Sequence, residues 1–293
     1  MVSLRRTGFV RRLVRGGAAL AVLLAVAGCA YLTEKQGELI FRPTKDVWWG
    51  YQGANLRYDE RWIPVGADGE KLHAFWVRAD QPAAPVMLYL HGARWNLTGS
   101  VTRIERWRKL GFHVLAIDYR GFGKSTDASP SEARSYEDAL AAWDYLATLA
   151  PGQPRYIVGH SLGGAIAAEL AVRRPEAAGL VLEATFTSIR DMVERTAWSM
   201  LPVGLILSQE FDTYAKLPRI RVPLIVVHGT NDAIVPYEMG ERLFAVANGP
   251  KRFIKVEGGS HHNLSSVAAE QYRSALREIF RLGTSGLEAS ARN

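Results

Sequence analysis

The chain has one cysteine in 293 residues, so no intramolecular disulfide can form. It also has no H-E-x-x-H run and no grouped Asp/His cluster, and from that no bound metal and no cofactor are expected. No internal repeat or low-complexity tract interrupts it, which excludes solenoid and fibrous architectures. What is present is a composition of 48% hydrophobic and 22% charged residues, enough apolar material for one large core.

The formal charge of +7 at first suggests an anionic partner. Five arginines, however, lie in the first fifteen residues (Arg5, Arg6, Arg11, Arg12 and Arg15) with no acid among them. Without them, 31 basic residues face 29 acidic ones, and the charge argument for nucleic acid disappears. A charge-free run, "GGAALAVLLAVAGCAYL", follows at 16–32, and a basic stretch before a short apolar one is the pattern of an export signal. The run ends in "VAGC", and Cys29 is the lone cysteine. This resembles the lipobox of bacterial lipoproteins, in which the thiol carries a lipid and cleavage before it exposes an amine for a further acyl chain. The resemblance implies a signal peptide over 1–28, a lipidated Cys29 with a tether to residue 50, and attachment in the cell envelope. Ala30 after the cysteine implies the periplasmic face of the outer membrane in a Gram-negative cell. An ordinary cleaved signal and an uncleaved membrane anchor are the alternatives.

Residues 51–283 read as one domain, with a C-terminal tail over 284–293. Two strands, "LRYDERWIPV" and "KLHAFWVRA", flank the turn "GADGE". Short apolar runs then recur at "VMLYL", "HVLAID", "RYIVG", "GLVLEA", "PLIVVHG" and "RFIKV", separated by helical segments such as "SYEDALAAWDYLATLA". Continuous apolar strands alternating with amphipathic helices predict an α/β fold, with a mostly parallel sheet covered on both faces. In such sheets chemistry gathers beyond the C-terminal strand ends.

Between "RYIV" and a helical segment stands Gly159-His160-Ser161-Leu162-Gly163, a G-x-S-x-G sequence at a strand-to-helix turn. The glycines clear room for a sharp bend that projects the serine hydroxyl near a helix N-terminus. Here the chain resembles the α/β-hydrolase superfamily, in particular small esterases, thioesterases, lysophospholipases and serine aminopeptidase-like proteins. The resemblance runs from about Leu56 to Leu282 and includes "LYLHG", "AIDYRGFGKS", "PLIVVHGTNDAIVP" and "EGGSHHNL". It implies an antiparallel N-terminal hairpin, a short cap over about 188–222, and a triad in the order serine, acid, histidine.

A serine hydroxyl needs an imidazole to take its proton and a carboxylate to orient that imidazole. Asp232, after the strand "PLIVVHG", matches the acid loop, and Glu183 after the earlier strand is its competitor. The histidine falls at His261 or His262, because counting G-x-x-H from Gly258 or from Gly259 gives one or the other. The usual loop pattern of the resemblance favours His261. It also implies an oxyanion hole formed by the Leu162 and Ala93 amides. Arg94 and Trp95 bring charge and bulk beside that hole, either to select a substrate or to pack on the surface. His91, His160 and His228 read as residues that shape backbone turns and make hydrogen bonds behind the site rather than as metal ligands. The segment "GFGKS" is no phosphate loop, since Asp118 stands where the first glycine is required.

Together these features imply a lipid-anchored serine hydrolase that cleaves carboxylic esters or thioesters through an acyl-enzyme on Ser161, acting on a small-molecule or acylated substrate, with no nucleic-acid partner. A peptidase or amidase with the same triad and a non-catalytic envelope lipoprotein are the alternatives. Cys29→Ser is expected to abolish incorporation of labelled palmitate and to release the protein from the membrane fraction. Retained label in the variant would refute the lipidation site.

Overall fold

The computed structural model describes residues 16, 17, 20, 26–28, 30, 31, 35–48, 51, 56–66, 68–195 and 207–282. Cys29, nearly all of the signal segment, residues 196–206 of the expected cap and the tail 284–293 lie outside them. Among the described residues no helix is long and apolar enough to cross a membrane.

Eight strands form one sheet: β1 (Asp59–Pro64), β2 (Lys71–Val77), β3 (Val86–Leu90), β4 (His113–Ile117), β5 (Arg155–His160), β6 (Gly179–Glu183), β7 (Leu224–Gly229) and β8 (Lys251–Val256). Their order across the sheet is β1-β2-β4-β3-β5-β6-β7-β8. β1 and β2 pair antiparallel, with Asp59 opposite Trp76, and β2 is also antiparallel to β4. Every later pairing is parallel, with Leu90 opposite both Ile117 and Gly159, and Glu183 opposite His160. This is the expected α/β arrangement with an antiparallel start.

The burial pattern explains the strand sequences. β3, β4, β6 and β7 are buried at every position, which is why they read as unbroken apolar runs. The two edge strands β1 and β8 have solvent-facing positions, with charged residues such as Glu60 and Lys255 on them. Alternate residues of the sheet feed two cores. Leu88, Leu115, Ile157, Leu180 and Val226 pack under α2 (Glu132–Leu149), α3 (Leu162–Arg173) and α6 (Tyr237–Val246). Met87, Tyr89, Val158, Val181 and Val227 pack under α1 (Val101–Lys109) and α8 (Ala269–Phe280), which follows the short α7 (Leu264–Val267).

Capping explains where the helices begin. Ser131, in extended backbone, accepts a hydrogen bond from the Arg134 amide and starts α2, while Ser188 does the same for α4 (Ile189–Glu194) through the Asp191 amide. The described part of the cap is α4, an irregular stretch at 207–212, α5 (Thr213–Lys216) and a 3₁₀ turn, Leu217–Arg219. Its return limb is fixed to α2, because the Glu132 carboxylate accepts the amides of Glu210 at 2.6 Å and Phe211 at 2.9 Å.

Residues 35–48, which the sequence suggested were tether, pack on the domain. They include a helical stretch, 35–41, whose last residue Phe41 is fully buried between Phe122 and Phe211.

One buried charge organises the β4 end of the sheet. The Arg120 guanidinium donates to Asp138 at 2.7 Å, Glu70 at 2.7 Å and Glu137 at 2.7 Å, joining the β1–β2 turn to α2. Burial still pushes the Asp138 carboxyl up to about 6, against the opposing pull of Arg120. Arg120→Met is therefore expected to cost about 3–5 kcal/mol, because Asp138 is left buried without its cation, with only the residue-120 amide still donating to it. Arg120→Met combined with Asp138→Leu should recover part of that loss in urea unfolding. A double variant no more stable than the single one would contradict this account.

Candidate active site

Ser161 occupies the turn between β5 and α3 with φ 55° and ψ −123°, a left-handed backbone that a residue with a Cβ adopts only under constraint. Three contacts hold it: its amide donates to the Glu183 carbonyl at 2.9 Å, and its carbonyl accepts from the Gly164 amide at 2.9 Å and the Thr185 hydroxyl at 2.7 Å. The turn also depends on Gly163, where a Cβ would lie 2.1 Å from the Leu90 carbonyl oxygen. No side chain fits there, so the α3 N-terminus rests directly on the end of β3.

That contact brings the loop after β3 to the serine. A Cβ built on Gly92 would stand 3.0 Å from Ser161 Cβ. The neighbouring Ala93 amide, and the Leu162 amide at the first position of α3, have no hydrogen-bond acceptor among the described residues. Two unpaired N–H groups thus flank the serine. The Ser161 hydroxyl likewise takes no hydrogen-bond partner among the described residues, His261 included.

The loops after β7 and β8 meet. His261 Nδ1 lies 2.7 Å from Asp232 Oδ2, and both side chains are nearly or wholly buried. The other Asp232 oxygen accepts the amides of Ile234 at 2.9 Å and Val235 at 2.8 Å. Burial raises the Asp232 carboxyl, but contacts with His228 and His261 and the Val235 amide outweigh it and leave the group well below the usual carboxylate range. An ionised Asp232 facing Nδ1 favours the tautomer with the proton on that nitrogen, which leaves Nε2 as the basic atom. His228 Nε2 is 3.4 Å from Asp232 Oδ2 and 3.0 Å from the Val235 carbonyl, so the carbonyl is its better partner.

The two open alternatives separate in space. His262 is turned outward, with Arg103 Nη2 3.5 Å from its Nδ1, and hydrogen-bonds to no carboxylate among the described residues. Glu183 is wholly buried and accepts a hydrogen bond from the Tyr272 hydroxyl at 2.6 Å, on the α1–α8 side of the sheet. Burial raises its carboxyl, against the Tyr272 hydroxyl, Arg103 and Arg106. His160 makes a hydrogen bond of the expected supporting kind: its Nε2 lies 2.9 Å from the His261 carbonyl oxygen, joining the serine elbow to the histidine loop. The G-x-S-x-G pattern marks the position but carries no signal of that bond. His91 Nδ1 lies 2.7 Å from the Gly92 carbonyl, beside the Ala93 amide. Arg94 and Trp95 are both exposed at the mouth. Among the described residues no group of three or more His, Cys, Asp or Glu stands where it would hold a metal ion.

A mostly parallel eight-stranded sheet flanked by helices, with a serine elbow after β5 and a His–Asp pair beyond β7 and β8, is the α/β-hydrolase fold. Residues 81–213 match the sequence profile of the serine aminopeptidase S33 family. Over 172 residues the chain is 38% identical to an uncharacterized protein of Mycobacterium tuberculosis, covering 58% of this chain and 60% of that protein. Over 210 residues it is 32% identical to the lysophosphatidylserine lipase ABHD12 of Danio rerio, covering 63% of this chain and 54% of the lipase. The chain therefore spans between half and two thirds of the length of these curated relatives. Among solved structures, the Pyrococcus furiosus esterase Pf2001 superimposes with a TM-score of 0.63 at 20% identity, over 81% of this chain and 99% of the esterase. Est1E of Butyrivibrio proteoclasticus, with ferulic acid bound, gives 0.60 at 20% identity, over 74% of this chain and 98% of Est1E. At that identity the likeness is one of fold.

The buried histidines make stability depend on pH. Burial, with the positive fields of Arg103 and His261, pushes His160 well below the ordinary histidine range, and burial lowers His91. Below about pH 6.5 the unfolded chain binds protons that the folded chain refuses, so stability falls on acidification, by up to about 1.4 kcal/mol per pH unit for one such group. Urea midpoints are expected to drop from pH 7 to pH 5. His160→Gln, which keeps an N–H donor without a titrating ring, should show a shallower drop, and an unchanged slope would remove His160 as the cause.

Proposed function

We propose that the protein is a serine hydrolase that cleaves carboxylic esters or thioesters through an acyl-enzyme on Ser161. The observation that carries this reading is the 2.7 Å His261–Asp232 contact, beside a serine held at positive φ between two unpaired amides. In this mechanism Ser161 Oγ attacks the substrate carbonyl carbon while His261 Nε2 accepts the hydroxyl proton. Asp232 orients the ring and stabilises its cationic form. The oxyanion then faces the Ala93 and Leu162 amides. The His261 proton passes to the departing oxygen or sulfur, that bond breaks, and water repeats the sequence to release the acid.

The esterase and lipase among the similar proteins support ester chemistry, while the serine aminopeptidase profile supports a second reading, a peptidase or amidase on the same residues. An acylated lipid is the substrate class we favour. If Cys29 carries lipid in the cell envelope, the six residues to Lys35 span at most about 20 Å, which keeps the folded domain close to the bilayer. An ester presented by a membrane would then lie within reach.

A fluorophosphonate probe is expected to label the purified protein, and Ser161→Ala to abolish labelling. His261→Ala should lower kcat by roughly four to six orders of magnitude, while His262→Ala keeps a substantial fraction. Reversal of the two histidine results would move the base by one residue. Labelling that persists in Ser161→Ala would end the acyl-enzyme proposal. A panel of p-nitrophenyl esters of rising chain length, run beside aminoacyl-nitroanilides, separates ester from amide cleavage; turnover of the anilides alone would favour the second reading.

A further inference from the structure

The loop that carries the Ala93 amide is under constraint. Arg94 and Trp95 both have left-handed backbone, at φ 64° and 57°, and neither is a glycine. Two adjacent residues of this kind persist only where surrounding contacts impose them. On one side of the loop, the Asp118 carboxylate accepts the Leu97 amide at 2.8 Å. The rest of the restraint comes from the N-terminal segment, some fifty residues earlier in the chain.

That restraint is a run of contacts rather than one. The Arg94 amide donates to the Phe41 carbonyl at 2.7 Å, and Pro43 and Trp95 form a parallel β-bridge. Asn96 Nδ2 donates to the carbonyls of Asp46 at 2.8 Å and Thr44 at 3.3 Å. The Trp48 amide donates to Thr98 Oγ1 at 2.8 Å. The segment is itself anchored. Phe41 is fully buried, the Thr44 carbonyl accepts the Gly123 amide at 2.9 Å, and Gln36 Oε1 accepts the Ser208 amide at 2.7 Å on the return limb of the cap.

We infer that residues 41–48 brace the oxyanion loop, with Asn96 as a positioning residue whose side chain ties that loop to the segment leading from the proposed lipid anchor. The inference rests on the serine-hydrolase reading. The Ala93 amide is one peptide away from the Arg94 amide, which the Phe41 carbonyl holds, so its direction follows that of its neighbour. An oxyanion donor must keep its geometry to within a fraction of an ångström. The segment leading toward Cys29 is therefore part of the catalytic apparatus.

Asn96 offers a selective test in the full chain. Its Oδ1 caps the following turn by accepting the Thr98 amide at 3.1 Å and the Thr98 hydroxyl at 2.6 Å, while its Nδ2 serves the brace. Asn96→Asp keeps a good cap but sets a carboxylate oxygen against two carbonyls. Thr98→Val removes the acceptor for the Trp48 amide from the other side with little change in volume.

With p-nitrophenyl ester as substrate, Asn96→Asp is expected to lower kcat by about 10–100-fold, below the roughly 100–1,000-fold that loss of a whole donor costs. KM should stay within about threefold, since the donor acts on the transition state rather than on bound ester. Fluorophosphonate labelling of Ser161 should slow by the same factor as kcat. The acid limb of the pH–rate profile should not move, because the His261–Asp232 contact is untouched. Thr98→Val should show the same pattern at smaller size, and it decides the matter alone if Asn96→Asp fails to fold. Both variants at unaltered kcat, a loss confined to KM, or a shifted acid limb would overturn the brace. Absence of both turnover and labelling in the unaltered protein would overturn the serine-hydrolase reading instead.

Discussion

The site depends on one close approach, the seating of the α3 N-terminus on the last carbonyl of β3 at Gly163. Because β3 and β5 are parallel neighbours, their C-terminal ends come level, with Leu90 opposite Gly159. A helix that must leave β5 at that level has no room to unwind gradually, so the chain turns sharply at Ser161 and takes up positive φ there. The same approach puts the loop after β3 against the serine. Strain at Ser161 accompanies this packing contact, and among the described residues the amides on either side of it have no acceptor. The hydrogen bonds from Thr185 and to Glu183 offset its cost, and they come from the end of β6 and the loop after it.

Electrostatics beyond the strand ends follow from burial. Asp232 has enough donors to remain ionised where water is largely excluded, and the adjacent His261 takes its orientation from that charge. His160 lies close to the same imidazole, with ring centroids 4.8 Å apart, and is kept neutral by burial and by the positive field of Arg103. Arg103 Nη2 also reaches the carbonyls of His261 and His262, each at 3.4 Å, which places a fixed positive charge behind the histidine loop.

Much of this was legible in the sequence where local chemistry decides structure. The buried parallel strands announce themselves as "VMLYL" and "PLIVVHG", because a strand covered on both faces has no polar side to show. The elbow is legible because only glycines fit around it. The ambiguity between His261 and His262 had a different origin. Two adjacent glycines give two equivalent starting points for the same spacing; the loop pattern of the resemblance favours His261, and the path of the β8 loop brings that ring to Asp232. Glu183 likewise ends a strand at the site side of the sheet, but its side chain belongs to the core under α8, where Tyr272 receives it. Strand register gives the level of a residue and does not give the face to which its side chain turns at a strand end.

The N-terminal segment was the least legible part, for a physical reason. Its attachment to the domain runs mainly through backbone carbonyls, those of Phe41, Thr44 and Asp46, and backbone groups leave no trace in side-chain periodicity. Asn96 looks like an ordinary helix cap, and its second pair of contacts is invisible without the fold. A stretch between a signal and a domain therefore reads as a spacer, although its only necessary property as a spacer is length. Once it accepts hydrogen bonds from the loop beside the serine, its conformation matters as well. Tension or displacement applied toward residue 29 would pass through residues 35–48 to Arg94 before it reached any strand of the sheet, and would also reach the cap limb through Gln36. The segment therefore ties the loop beside the serine to the return limb of the cap, whereas the His–Asp pair beyond β7 and β8 is held by separate contacts.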